Sequence, residues 1–292
     1  MQKQKVIALE PKERLLEKAR RYASDPELFL ENGDLAVSLM LRALKFADRE
    51  LKWEILLLLG SFAKNKIALP LMEILADPAE EEDIRRDASI QLSIIGPFLK
   101  DPQPVLERLM QAMESPDPAL RLHATFAAGW PGNIPAAIPL MERLFDGEDR
   151  VQQTAVNALC NLRDDRILNL LQDRLENGPL PQKRTILLNL WRFSSKQEEA
   201  VKIYLKFLEH ENSDLRLYAL AAFGLIADPI KYLEVYRKCL RDPDSRVRQA
   251  ALRRLVDEDA SGLFPLREVI QELLDDPVMQ VKKAALAILK KF

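Results

Sequence analysis

A ten-residue phrase that returns about every 33 positions restricts the fold of this chain more than any other feature. It reads Asp242-Pro243-Asp244-Ser245-Arg246-Val247-Arg248-Gln249-Ala250-Ala251, and returns in altered form from Asp275 to Ala285. A period of that length marks stacked repeats, each of two short helices that bury their apolar faces only against neighbouring units. The apolar residue before the base serves as an anchor and falls at Leu51, Ile84, Leu120, Val151, a degenerate Pro181, Leu215, Val247 and Val281. One helical turn on, at the fourth residue after each anchor, stand mostly alanines such as Ala88, Ala124, Ala155, Ala219, Ala251 and Ala285. Small side chains there allow neighbouring helices to approach closely.

The residue after the anchor is a base or glutamine: Lys52, Arg85, Arg121, Gln152, Gln182, Arg216, Arg248 and Lys282. Asp146, Asp242 and Asp276 lie five positions before their anchors, so the bases read as a structural ladder in which each pairs with turn carboxylates or carbonyls and ties one repeat to the next. Turns are expected at Asp77-Pro78, Asp101-Pro102, Asp117-Pro118, Asp228-Pro229, Asp242-Pro243 and Asp276-Pro277, where the acid can cap the next helix and proline suits its first turn. Residues 1–33 read as an atypical helical cap and 34–292 as one continuous domain of eight helical pairs, among them 133–145 with 148–161, 228–240 with 243–257 and 262–275 with 277–291. No stretch alternates as a half-buried strand must.

The anchor-base-x-x-Ala phrase, with Pro70, Pro139 and Pro265 inside the preceding helices, resembles the HEAT repeat, and most nearly the short prokaryotic kind also found in phycobilin lyases. The resemblance spans about residues 34 to 292 and implies an all-α fold, a right-handed α-α superhelix or α-solenoid of about eight two-helix repeats. The fifth unit departs from it at Gly178-Pro179-Leu180-Pro181-Gln182, where a local bend is expected. Function is far less restricted, because the family holds scaffolds, adaptors, lyases, a DNA glycosylase branch and a di-iron hydroxylase.

Several functions find no residues to carry them. The family's hydroxylases imply several His-Glu pairs, but this chain has two histidines, His123 and His210, and only His210-Glu211 forms a pair; it reads as a polar turn. The sequence shows no phosphate loop, Gly-x-Ser-x-Gly elbow or Cys-x-x-Cys, so neither catalysis nor a cofactor is expected. Cys160 and Cys239 read as small core residues. With 43 basic and 45 acidic residues the chain lacks a global field to draw in nucleic acid, and no apolar run is long enough for a membrane span. A cytoplasmic protein, monomeric or weakly self-associating, is the expectation.

The helical period also assigns an outward row. Positions two and six after each anchor point away from the buried face, and in solenoids the second helices line the concave surface. In the first three units these are Trp53, Leu57, Arg86, Ile90, Leu122 and Phe126; the fifth contributes Lys183 and Leu187, and the last two contribute Arg253 and Lys283. Exposed Trp, Phe and Leu in one row mark a site for a protein or peptide partner, with Lys183, Arg253 and Lys283 steering an acidic segment. Burial of Trp53 and Phe126 would remove that reading's best residues. Trp130, between Gly129 and Pro131, reads as a plug between repeats or as a second binding residue, and Val6, Ile7 and Leu9 as a segment that docks on the first repeat or stays disordered. The alternatives are a lyase or chaperone-like accessory factor acting on a chromophore or modified protein, and a DNA-binding solenoid that would use Trp53, Trp130 and Trp191 with patches such as Arg246 and Arg254.

Overall fold

The computed structural model describes residues 11–62, 64–164, 166–193 and 197–292. Val6, Ile7 and Leu9 lie outside the described residues. Those described form helices and turns with no strand among them, in two compact units that meet in sequence between Ile167 and Leu168. That division falls inside the stretch that the sequence reads as one continuous domain.

In the first unit, α1 (Lys12–Ser24) is followed by four helical pairs, the first of which opens with α2 (Pro26–Ala43). The second helix of each pair carries the recurring phrase: α3 (Arg49–Gly60), α5 (Glu82–Ile95), α7 (Pro118–Ala128) and α9 (Asp149–Asn161) pack side by side in that order. The first helices α4 (Asn65–Ala76), α6 (Gln103–Met113) and α8 (Ala137–Arg143) lie against α5, α7 and α9. Of the expected turn acids, Asp117 and Asp228 each accept a hydrogen bond from a backbone N–H in the first turn of the helix that follows. Asp242 and Asp276 instead accept from Asp244 and Val278 just before the helix, and the caps of α3 and of the helix from Ser245 are Asp48 and Asp244. The boundary drawn at residue 33 is a break within α2, where Gly33 takes φ of 47°, a left-handed conformation that glycine adopts without a Cβ penalty.

The second unit opens with α10 (Arg166–Asn177), whose first residues belong to the preceding unit. Its phrase-bearing helices are α11 (Leu180–Asn189), α13 (Ser213–Ile226), α15 (Ser245–Leu255) and α18 (Met279–Leu289), again packed side by side in order. They are backed by α12 (Gln197–Leu208) and α14 (Leu233–Leu240), and at the end by α16 (Ala260–Leu263) and α17 (Arg267–Glu272). Three first helices expected as single rods are broken into a 3-10 turn and a shorter α-helix: at Ile134–Ala136, Pro229–Tyr232 and Phe264–Leu266. Each break holds a proline, Pro135, Pro229 or Pro265, which lacks the N–H that an α-helical hydrogen bond requires.

The anchors Leu51, Ile84, Val151, Leu215, Val247 and Val281 are buried, as are the alanines one turn on. Each is the third residue of its helix. In α11 the third residue is Gln182, not Pro181, and the buried positions are Ile186, Leu187 and Leu190, which stand four, five and eight after Gln182. The register of the fifth unit is therefore shifted by one residue from the sequence assignment. Proline cannot donate in a helix interior, so Pro181 sits in the first turn, exposed, and the apolar face begins one residue later.

The ladder of bases joins consecutive repeats, as the sequence leads one to expect. Arg121 meets Asp146 through two bonds of 2.8 Å, Arg216 meets Asp242 through two of 2.7 Å, and Arg248 meets Asp276 at 2.6 and 3.0 Å. Each arginine also donates from Nη1 to two carbonyls of its own turn, as Arg248 does to Asp242 O and Pro243 O. Arg85 to Asp117 and Lys52 to Glu80 continue the series in the first unit. The pairs of Arg121, Arg216 and Arg248 are largely buried and satisfied on both sides, the condition under which a buried charge is tolerable. Lys183 holds the equivalent place in the shifted unit and donates to Glu176 O at 2.8 Å.

A candidate partner-binding groove

Because the ladder consumes the positions one after each anchor, the outward row of the first unit belongs to residues two and six after it. Trp53 is 48% exposed, Leu57 44% and Phe126 43%, so these large apolar side chains stand in solvent on helices α3 and α7. Arg86 is exposed, and Ile90 and Leu122 are half-buried. Arg86, Ile90, Leu122 and Phe126 come together around a hollow of about 610 Å³ across α5, α7 and α9. Trp53 and Leu57 lie on α3, which packs against α5, and do not line it.

The floor and rim of this hollow contain residues that the sequence reading missed: Glu82, His123, Asp149 and Arg150. His123 stands three residues after its anchor, is buried, and hydrogen-bonds through Nε2 to Glu82 Oε1 at 2.9 Å. Burial pulls its pKa below the usual histidine value; Glu82 opposes this, while the charges of Arg85 and Arg150 add to it. The signal was a histidine beside the small-residue position of its helix, in Pro118-Ala-Leu-Arg-Leu-His-Ala, which is also what a satisfied core histidine looks like. The hollow thus joins an apolar wall to two guanidinium and two carboxylate groups.

The remaining predicted residues do not join this site. Leu187 is fully buried and its carbonyl accepts from the Tyr204 hydroxyl at 3.0 Å, so it belongs to the core. Lys183 is the ladder base of its unit, not an outward cation. Both corrections follow from the one-residue shift in α11, which turns Arg184 and Leu188 outward instead. Arg253 and Lys283 are exposed on α15 and α18 of the second unit. Arg253 edges a separate hollow of about 490 Å³ with Leu217, Ala221, Leu225 and Gln249.

Other candidates resolve as structure. Trp130 is 4% exposed and lies so close to Gly96 that a Cβ there would sit 2.4 Å from the indole, so it plugs the space between repeats. Gly132, with φ of 82°, makes the turn that follows possible. His210 lies in a turn, stacks on Phe207 and accepts from the Asn212 N–H. Cys239 is buried, and burial pushes its thiol pKa up to about 12, which suppresses the reactive thiolate.

The HEAT-repeat family model matches residues 106–190 and 201–290, more than half of the chain. The chain belongs to the HEAT-repeat family. Solved structures similar to this HEAT-repeat chain include the complex of CpcE and CpcF of phycocyanin lyase from Nostoc sp. PCC7120, at 16% identity and a TM-score of 0.36, covering 88% of this chain and 94% of that one. Human deoxyhypusine hydroxylase in complex with glycerol follows at 20% identity and a TM-score of 0.32, with 96% of each chain covered. An engineered protein matches at 22% identity and a TM-score of 0.28, covering 87% of this chain and 95% of that one. No curated protein matches in sequence. Among the described residues no helix is long and apolar enough to cross a membrane.

Proposed function

We propose that this HEAT-repeat protein is a non-enzymatic binding module whose first unit holds an apolar segment of a protein or peptide against the second helices α3, α5 and α7. The observation that carries this reading is the exposure of Trp53, Leu57 and Phe126 in one row beside a hollow edged by Arg86 and Arg150. Leaving such side chains in water forfeits the free energy that burial would give, about 1.5–3 kcal/mol for a fully buried large apolar side chain, and a contiguous exposed group of them marks a contact surface. Aromatic residues seated in a partner's pocket commonly dominate the binding energy, at about 2 kcal/mol or more each on truncation.

A random peptide library displayed on phage and selected on the full chain tests this. The reading expects selected peptides to share an apolar pattern, and Trp53→Ala with Phe126→Ala to weaken them by at least about tenfold. Both side chains are exposed, so the variant keeps its fold. Selected peptides that bind the double variant as tightly as the original protein would remove the groove assignment.

A further inference from the structure

The phrase-bearing helices of the two units carry the same framework but opposite charge balances. In the first unit, α3, α5, α7 and α9 hold six bases and six acids. In the second, α11, α13, α15 and α18 hold nine bases and a single acid, Asp214. The ladder explains part of that excess, because Arg216 and Arg248 are held by Asp242 and Asp276. Arg246 is paired with Asp214 and Asp244, and Arg254 with Glu258. Of the other five, Lys183 and Lys282 hold ladder positions, and three outward cations are left over. Arg253 and Lys283 are exposed, and neither has an ion pair or hydrogen bond among the described residues. Arg184, turned outward by the register shift, stands over the Tyr218 ring with its guanidinium carbon 5.5 Å from the ring centre. None of these positions is required by the stacking of repeats, which the ladder already serves.

We propose that the second-helix face of the second unit docks an acidic, partly apolar peptide segment in extended form. Adjacent helices pack on the order of 10 Å apart, and an extended chain of polyproline-II type advances about 3.1 Å per residue with three residues per turn, so an acid at every third residue faces successive helices. Between the cations lie Leu217, Ala221 and Leu225, the last 64% exposed, which suit apolar residues placed between the acids. Single-stranded nucleic acid fits this face less well, because it needs free aromatic faces for its bases. Tyr218 is the sole outward aromatic residue of these four helices among the described residues, and Arg184 covers its ring. The surface is distinct from the groove of the first unit and does not depend on that reading.

Fluorescence anisotropy on the full chain decides the proposal. The probes are a labelled 15-residue peptide of Glu-Ser-Leu repeats, its Lys-for-Glu counterpart and a 15-nucleotide oligothymidine. The Glu-Ser-Leu peptide is expected to bind, more weakly as salt rises, and the triple variant Arg184→Gln, Arg253→Gln, Lys283→Gln to weaken it by about tenfold, at roughly twofold per exposed charge. Neutralising Lys202, Lys206 and Lys238 on the first helices α12 and α14 is expected to leave binding unchanged. The proposal is overturned if the triple variant binds as the original protein does, if the Lys-containing peptide binds equally well, or if oligothymidine binds more tightly than the acidic peptide. Thermal melting of each variant separates loss of binding from loss of fold.

Discussion

Replacing Arg248 by methionine isolates the ladder, because methionine keeps most of the aliphatic stem and removes only the guanidinium. In the folded chain that guanidinium gives two bonds to Asp276, whose side chain is 3% exposed, and two more to Asp242 O and Pro243 O. The substitution leaves Asp276 with the Val278 N–H and a buried, unpaired charge. Breaking one partner of a buried pair typically costs about 3–5 kcal/mol, whereas removing both charges is far milder. Arg248→Met should therefore lose about 3–5 kcal/mol at pH 7, and Arg248→Met with Asp276→Asn should recover at least about half, since asparagine can still accept from Val278. The pH dependence gives a second check. Burial alone would raise the pKa of Asp276, but hydrogen bonds from Arg248 and the Val278 N–H outweigh it and hold the carboxyl below the usual range. A lowered folded-state pKa contributes stability above the unfolded value, about 3.9, that is lost as pH falls through the folded one. Without Arg248 burial prevails, so the gap between the two proteins should be widest at pH 7 and narrow towards pH 4. Urea titration followed by circular dichroism measures the loss, and hydrogen exchange at Val278 reports it locally, which matters because repeat arrays need not unfold in one step. A single-variant penalty below about 1 kcal/mol, or a double-variant penalty equal to the sum of the two singles, would refute the argument.

The register of the fifth unit predicts that Leu187→Ala costs about 2–5 kcal/mol, as for a fully buried leucine, while Leu188→Ala, at a half-buried position, costs clearly less; midpoints of chemical denaturation that rank them the other way would restore Pro181 as the anchor. His123, with its pKa pulled below the ordinary 6.5, takes up protons in the unfolded chain before it does so in the folded one, so stability should decline as pH falls from about 6.5 towards the folded value. His123→Gln should flatten that decline between pH 7.5 and 5; parallel denaturation midpoints for the two proteins would show that the imidazole does not titrate as the geometry requires.

Much of the candidate site was legible before any coordinates, and the part that was not has a definite cause. Trp53, Leu57 and Phe126 could be placed outward because helical periodicity fixes a face once one buried position is known. Their exposure follows from that register in α3 and α7. The same rule failed at Leu187 and Lys183, because it was started from the wrong residue: a proline in the anchor slot gave no local sign that the buried face begins one position later. His123 and Glu82 escaped for a different reason. They are 41 residues apart in sequence and become neighbours only when α5 and α7 pack.

The sequence by itself therefore determined the repeat, the helical pairs, the capped turns and the identity of the framework residues, since all of these depend on spacings of a few residues and on intrinsic backbone preferences. Tertiary structure decided which carboxylate each base meets: Arg121, Arg216 and Arg248 reach the turn acid of the following unit, Asp146, Asp242 and Asp276. It also decided the register of α11, the hollow around His123, and which cations of the second unit remain free. Those outcomes depend on distances between helices, and a linear pattern carries no information on distance until neighbouring units are stacked.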